Sequence, residues 1–235
     1  SDGNTRYLGK LSARGGPLGG DGGFAEVSGK GNLLFLGGAN LGAPKGTVGD
    51  LLLDPLDLFV DSVGGLNPYI IDETTDFPDH AVTVSPATLA AITGNVTLYA
   101  SRDLRFNSAV ALTTAGQGLA ASAGRDLQIG AGISTNGGAV ALTAARTLQA
   151  FAAAPITTSG GNVNLSAQNI SASSLTVAAG GGSVTAASSA GSLQIGTIAS
   201  AGTINLASTG GSLSTSAMTS AGAISLNSNG GSLST

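Results

Sequence analysis

The stretch AGSLQIGTIASAGTINLASTGGSLSTSAMTSAGAISLNSNGGSL, residues 190–233, repeats itself after 20 residues and contains no charged side chain. The blocks that begin at Gly191 and Gly211 agree at ten of twenty positions, each matched 20 residues later: Gly191, Ser192, Leu193, Ser200, Ala201, Gly202, Ile204, Leu206, Ser208 and Gly210. A period of this length is typical of solenoid proteins, in which each unit buries its apolar side chains only by stacking on the next unit.

Earlier parts of the chain contain the same unit at spacings of 20 to 23 residues. Three apolar sites recur in it, with the alternation of two residues that is typical of β-strands. The first site is a pair at 96/98, 119/121, 140/142, 163/165, 184/186, 204/206 and 224/226. The second is a pair at 104/106, 127/129, 148/150, 193/195 and 213/215, and the third is Ile133, Ile156, Ile198 and Met218. Three short strands in about 20 residues make one triangular coil, so the pattern predicts an all-β, three-faced parallel β-helix with aliphatic columns inside.

The composition agrees with stacked strands and excludes several functions. The chain has 235 residues, 38 of them glycine, with a mean hydropathy of +0.31 and 9% charged residues, against about 25% in ordinary domains. Its formal net charge is −4, so it lacks the basic face that nucleic acid requires, and we expect no nucleic-acid partner. There is no cysteine, which excludes disulfides, and no apolar run of about 18 residues, so we expect no membrane-spanning helix. No ionisable side chain follows Arg146.

The chain divides into three segments by pattern. Residues 1–60 are strand-like but contain long glycine runs such as ARGGPLGGDGG (13–23), which predicts irregular, glycine-rich coils. Residues 61–93 predict an excursion loop, DSVGGLNPYIIDETTDFPDH (61–80), then a returning strand at 81–84 and one short helical turn within SPATLAAITGN (85–95). Residues 94–235 predict the regular coils. They end at GGSLST without a polar cap, so we expect the rod to continue beyond residue 235.

Several distinctive runs resemble the exoproteins of bacterial two-partner secretion, the filamentous-haemagglutinin-like family. They are LSARGGPLGGDGGFAEVSGK (11–30), LGAPKGTVGDLLLDP (41–55), SPATLAAITGNVTLYASRDLRFNSAV (85–110) and GRDLQI (124–129). The resemblance covers nearly the whole chain and implies a right-handed β-helical rod, secreted to the bacterial cell surface, that serves in adhesion. It also implies an outer-membrane transporter as partner of the parent protein. The NPNG-type motif of the family's secretion domain is not found, and LNPYI (66–70) does not replace it.

Candidate ligands and catalytic groups are few. His80 lies beside Asp76 and Asp79, where a metal or acid–base site is conceivable, but no second histidine and no cysteine completes a ligand set, which favours a solvated loop. Calcium is a second candidate ligand, but the carboxylate spacing matches no EF-hand loop, and GGDGGFAEV (19–27) differs from the calcium-binding nonapeptide, which favours turn formation and solubility. These carboxylates are Asp54, Asp57, Asp61, Asp72, Glu73, Asp76 and Asp79. We therefore assign no catalytic, cofactor-binding or metal-binding residue.

Two polar patterns recur from coil to coil. The dipeptides Arg102–Asp103 and Arg125–Asp126 lie one coil apart, which predicts a ladder of alternating charges near a corner rather than a catalytic pair. Pairs of small, mostly hydroxylated residues follow the third apolar site at 134/135, 157/158, 199/200 and 219/220. They form an imperfect version of the threonine ladder of ice-binding solenoids.

These observations favour a structural protein over an enzyme. We expect a segment of a secreted, cell-surface β-helical adhesin or filament rod that gives attachment, aggregation or a fibrous surface structure. We expect a receptor on a host cell, a bacterium or a glycan, and the open ends of the rod favour end-to-end or lateral self-association. The alternatives are a carbohydrate-active β-helix enzyme, for which the charge-free half supplies no carboxylates, and an ice-binding solenoid.

Overall fold

The computed structural model describes residues 3–29, 33–62 and 81–235. Within these residues the chain forms 25 strands and one short helix, and the strand pairings are parallel. Three strand segments make one coil of a stack, and in the last coils one long strand supplies two of the three segments. The predicted all-β, parallel β-helical fold is therefore confirmed.

The first face of the stack is one continuous sheet in which, among the described residues, nine strands lie in sequence order. At about 4.8 Å between neighbours, these strands extend roughly 40 Å along the axis. They are β3 (Phe24–Gly29), β6 (Asp50–Pro55), β9 (Asn95–Ala100), β12 (Leu119–Ala123), β15 (Val140–Ala144), β18 (Val163–Ala167), β20 (Val184–Ser188), β22 (Ile204–Ser208) and β24 (Ile224–Ser228).

The second and third faces belong to a single larger sheet. The second face contains β7 (Asp57–Val60), β8 (Ala81–Val84), β10 (Leu104–Phe106), β13 (Asp126–Ile129), β16 (Thr147–Ala150) and β25 (Leu233–Ser234). The third contains β11 (Val110–Ala115), β14 (Ile133–Asn136) and β17 (Pro155–Thr157). Three longer strands turn the corner and contribute to both faces: β19 (Asn169–Gly180), β21 (Leu193–Ser200) and β23 (Leu213–Ser220).

Aliphatic side chains from successive coils line up inside the stack, as predicted. The registers place Leu51, Val96, Leu119, Val140, Val163, Val184, Ile204 and Ile224 in the first column. They place Leu58, Leu104, Leu127, Leu148, Ile170, Leu193, Leu213 and Leu233 in the second. The third column contains Val110, Ile133, Ile156, Val177, Ile198 and Met218.

The sequence pattern missed Ile170 and Val177, which fill the second and third columns of one coil. Both are fully buried in β19, a strand of 12 residues that passes the corner without a glycine. A register shift between Ala172 and Thr176 absorbs the bend. The bulge adds residues between Ile170 and Val177, so the spacing between the second and third columns changes in this coil and a fixed spacing does not find the pair.

Near the N-terminal end of the second face, one strand lies out of sequence order. β7 pairs with β10 on one edge and with β8 on the other, although β8 follows β7 in the chain. The helix α1 (Pro86–Ala90) comes next, and the Oγ of Ser85 accepts a hydrogen bond from the Thr88 backbone N–H at 3.1 Å, as expected of an N-cap. The predicted returning strand and helical turn are confirmed. Most of the predicted excursion loop, residues 63–80, lies outside the described residues.

The first two coils also contain two small two-stranded sheets. β1 (Thr5–Tyr7) pairs with β4 (Leu33–Phe35), and β2 (Lys10–Ser12) pairs with β5 (Gly38–Asn40). The rings of Tyr7 and Phe35 stack with centroids 5.7 Å apart. These strands lie in the segment that was predicted to form irregular, glycine-rich coils.

Two successive glycines at the corner between the third and first faces meet different needs. Gly137 has φ +84°, in the left-handed region that glycine adopts at low cost. Gly138 does not have a positive φ, but a Cβ there would lie 1.9 Å from the Gln117 carbonyl oxygen in the preceding coil. The first glycine therefore turns the chain, and the second lets neighbouring coils approach closely.

Candidate binding site

The corner between the first and second faces contains a ladder of arginine–aspartate pairs. Each arginine pairs with an aspartate of the preceding coil: Arg102 with Asp57, Arg125 with Asp103, and Arg146 with Asp126. The Nε atoms donate to Oδ1 at 2.9, 2.7 and 2.8 Å, and the Nη2 atoms donate to Oδ2, so each pair is bidentate. The predicted ladder is confirmed, and it includes Asp57 and Arg146, which the repeated dipeptides did not reveal.

Each aspartate of the ladder also accepts a backbone N–H from the next coil. The donors are the N–H groups of Asp103, Asp126 and Thr147, at 3.0, 3.2 and 3.2 Å. Hydrogen bonds from Arg125 and Arg146 hold the pKa values of Asp103 and Asp126 below their ordinary value. These carboxylates are already engaged in joining coils, and a ligand would have to displace an arginine to reach them.

Beyond the ladder, neutral side chains continue the same column. Asn169 follows Thr147 in register, and its Oδ1 accepts the Ser192 backbone N–H at 3.1 Å. Ser212 then accepts from the Ser232 backbone N–H at 3.2 Å. The column therefore keeps its coil-joining hydrogen bond after the charges end.

The hydroxyl pairs that resemble an ice-binding ladder do not both face solvent. Thr135, Thr158 and Ser200 are buried, and their hydroxyls donate to backbone carbonyl oxygens at the corner, such as Ser200 to Gly182 at 2.6 Å. Alternation along a strand explains this, because adjacent residues point to opposite sides. One residue of each pair points outward and is half-buried or exposed: Ser134, Thr157, Ala199 and Thr219, with Ala178 in the same column.

The first face contains a shallow groove, the Tyr99 groove, formed by two adjoining depressions of about 330 Å³ each. Ala120 and Ala141 line both depressions, because their methyl groups leave a hollow between larger neighbours. Asp54, Tyr99, Ser122 and Thr143 line one depression, and Asp50 and Asn95 line the other, with Thr97 common to both. The groove crosses β6, β9, β12 and β15.

Tyr99 and Asp54 lie in the depression that also contains Ser122 and Thr143. They follow the paired residues Leu98 and Leu53 on neighbouring strands, and Tyr99 itself pairs with Ser122 of the next coil. Tyr99 is 37% exposed, so part of its ring faces solvent at the edge of the groove. Burial and then the nearby Glu26 raise the pKa of Asp54 above its ordinary value. Within the described residues, no hydrogen bond or salt bridge reaches the Asp54 carboxylate.

The structure separates the acidic residues considered as calcium ligands. Asp54 lies in the groove, Asp57 is buried in the ladder, and Asp61 accepts hydrogen bonds from Asn107 and Ser108 at 3.1 and 3.2 Å. Asp72, Glu73, Asp76, Asp79 and His80 lie outside the described residues. Over residues 3–29, 33–62 and 81–235, no group of three or more possible metal ligands comes together.

Sequence reasoning did not single out the groove residues Asp50, Asn95 and Tyr99, nor the exposed Phe151. Phe151 is 49% exposed, and the Arg105 guanidinium lies 5.5 Å from its ring centroid. A usable signal existed, because Tyr99 on β9 and Phe151 just after β16 are large rings among small residues. Outward and inward positions could be told apart only after the strand boundaries were known.

Comparisons with known proteins add no identification. No protein-family profile, no curated protein and no solved structure matches this chain. Among the described residues, no helix is long and apolar enough to span a membrane.

Proposed function

We propose that this chain is a structural segment of a secreted, cell-surface β-helical rod that serves adhesion or forms a filament, and that it is not an enzyme. One observation supports this proposal most strongly: the first face stacks in unbroken register from β3 to β24. Such a stack is stiff, because the backbone hydrogen bonds of every coil are made to its neighbours. Its function is to extend a binding surface away from the cell.

The surface chemistry supports a rod. In the described residues, the arginines of the corner ladder are all engaged with the preceding coil. No ionisable residue follows Arg146, so the last coils expose only uncharged side chains. Such a surface resists non-specific electrostatic binding.

Secretion and partners belong to the same proposal. The resemblance to filamentous-haemagglutinin-like exoproteins supports export of the parent protein through an outer-membrane two-partner transporter, to a place at the bacterial cell surface. It also supports a receptor on a host cell, another bacterium or a glycan. Self-association, end to end or side by side, is part of the same proposal, because an unpaired strand edge can pair with another chain. Sedimentation velocity at rising concentration tests it.

The adhesive role is tested by display of the chain on a non-adherent bacterium and by counting the cells attached to epithelial, bacterial and glycan-coated surfaces. Deletion of residues 193–212 removes one coil and joins Ser192 to Leu213, the register partner of Leu193. We expect the unmodified chain to attach. The variant with this deletion should also fold and attach, since a stack of coils tolerates the loss of one coil.

Deletion of residues 193–202 serves as the control. It removes half a coil, places inward residues outside, and should abolish both folding and attachment. A displayed, protease-resistant parent chain that attaches to none of the surfaces would contradict the adhesive role.

A second candidate, a carbohydrate-active enzyme, is favoured by one observation. Glu26 and Asp54 lie on the same face, and Asp54 has a raised pKa, the property of a general acid. The test is release of reducing ends from a panel of polysaccharides. Activity that the chain shows and that Glu26→Gln and Asp54→Asn both lose would establish an enzyme rather than a purely structural rod.

A further inference from the structure

The Tyr99 groove differs from the rest of the first face. Below Tyr99, the residues in the same outward column are small: Ser122, Thr143, Ser166, Ala187 and Ala207. A partly exposed ring in such a column gains less from burial than a core ring, and it gives the depression a flat apolar wall.

The hydroxyl groups in the groove are free to bind a ligand. Elsewhere in the stack, hydroxyls such as those of Ser188 and Ser208 donate to corner carbonyl oxygens at 2.8 and 2.9 Å. In the part of the chain that the structure describes, no side-chain hydrogen bond engages Thr97, Ser122 or Thr143. They line the same depression as the Asp54 carboxylate.

An unpaired carboxylate beside an aromatic ring and several hydroxyls is a set of groups that suits a saccharide. The CH face of a sugar packs on an aromatic ring, and a carboxylate accepts hydrogen bonds from two neighbouring sugar hydroxyls. A depression of about 330 Å³ lies at the lower end of the size range of small-molecule sites, and the second depression extends it along the strands.

The charge around the groove narrows the class of saccharide. Asp50 and Asp54 line it, and Glu26 lies close enough to Asp54 to raise its pKa. No described basic residue lines either depression. An anionic sugar such as a uronate would be repelled, whereas a neutral sugar would replace the water around Asp54 with its own hydroxyls.

We propose that the Tyr99 groove binds a neutral oligosaccharide, with the sugar ring on Tyr99 and its hydroxyls on Asp54, Thr97 and Ser122. This inference rests on the proposed function, because the saccharide would be the receptor that the rod contacts. It places a binding surface on the side of the rod, across β6, β9, β12 and β15.

Isothermal titration calorimetry of the full chain tests the proposal with maltohexaose, cellohexaose, xylohexaose and mannohexaose, and with hexagalacturonate and hexalysine as charged comparators. We expect millimolar or tighter binding of at least one neutral hexasaccharide and none of hexagalacturonate. Tyr99→Ala and Asp54→Asn should each weaken that binding by about tenfold. Phe151→Ala, which removes an exposed ring outside the groove, should leave it unchanged.

Thermal unfolding of each variant shows whether a loss of binding comes from a loss of fold. If Tyr99→Ala is unstable, Asp54→Asn still tests the proposal, because asparagine has nearly the same shape as aspartate. Absence of binding to all four neutral sugars would overturn the proposal, as would binding that both groove variants retain. Binding of hexalysine alone would also overturn it and point to a cationic partner. A chain that attaches to cells but binds no neutral sugar would refute only this inference, since attachment is measured separately.

Discussion

At the scale of single residues, a missing Cβ decides whether neighbouring coils can close at the corner between the third and first faces. Gly138, Gly161 and Gly182 occupy the same corner in successive coils, and each would place a Cβ about 2 Å from a carbonyl oxygen of the coil before it. Gly161, for example, would place it 2.1 Å from the Gly138 oxygen. The obstacle is backbone, which cannot turn aside as a long side chain can.

Gly161→Ala should therefore destabilise the protein by about 2 kcal/mol or more, because a backbone contact must open to admit the methyl group. Gly38→Ala is the matched control: a Cβ there would meet nothing within 4 Å, so its effect should stay within about 0.5 kcal/mol. Urea unfolding followed by circular dichroism measures both. Equal costs for the two substitutions would contradict the close-approach explanation.

At the scale of elements, the arginine–aspartate ladder joins strands of the second face across successive coils. Its pairs have similar hydrogen-bond geometry but different burial. The Asp57 side chain is 5% exposed, whereas those of Asp103 and Asp126 are 26% and 15% exposed. Because desolvation determines how much a lost partner costs, the pairs should not contribute equally.

Arg102→Ala should cost about 2 kcal/mol or more, since among the described residues it leaves the buried Asp57 carboxylate with the Asp103 N–H alone. Arg125→Ala, which removes the same group beside the more exposed Asp103, should cost at most about 1 kcal/mol. Chemical unfolding of the two variants under the same conditions provides the comparison. An Arg125 variant as unstable as the Arg102 variant would contradict the argument from burial.

The ladder also predicts a pH dependence. The pKa values of Asp103 and Asp126 are lower in the folded chain than their ordinary value of 3.8, so the unfolded chain binds protons first as the pH falls. The stabilisation is complete above about pH 5, where unfolded aspartates are ionised, and is lost as the pH falls below 3.8 through the lowered pKa values.

The double variant Asp103→Asn, Asp126→Asn should therefore be less stable than the parent at pH 7, by about 1 kcal/mol, and should approach it at pH 2.5. Urea midpoints at both pH values measure this. Parallel pH profiles for variant and parent would show that the two carboxylates do not contribute.

At the scale of the whole molecule, a residue's contribution depends on how many coils cover it. Ile204 and Ile224 occupy the same column and pair directly, yet Ile204 is fully buried and Ile224 is 44% exposed. The difference arises only from the coil that follows Ile204. A stack of this kind gains stability from the interfaces between neighbours rather than from one central core.

Ile204→Ala should cost about 2–5 kcal/mol, because it opens a cavity between two coils. Ile224→Ala, in the same column with half of its surface already exposed, should cost less than about 1 kcal/mol. Thermal or urea unfolding measures the pair. If the two substitutions lower the free energy of unfolding equally, the explanation by coverage is contradicted, unless a second molecule covers Ile224.

Much of the fold follows from sequence because a solenoid repeats a local rule. The columns through Val140 and Leu148 appear as a period of two within strands and of about 20 residues between them. The coil with Ile170 and Val177 escaped the pattern because a bulge in β19 adds residues between the two columns and changes their spacing. The step back from β7 to β8 escaped it as well, since strand pairing across an excursion leaves no periodic trace.

Less of the arginine–aspartate ladder and of the Tyr99 groove could be predicted from the sequence. The Arg–Asp dipeptides predicted a ladder, but the pairing of Arg102 with Asp57 joins residues 45 positions apart across a break in the repeat. The Tyr99 groove depends on which side chains point outward from four strands and on the small size of Ala120 and Ala141 between them. By itself the sequence determined the parallel β-helix, its internal columns and its charge-free last coils, because these are periodic and local. Only the tertiary structure decided which polar groups are engaged between coils and which remain free in a groove, since that depends on register and burial between strands far apart in the chain.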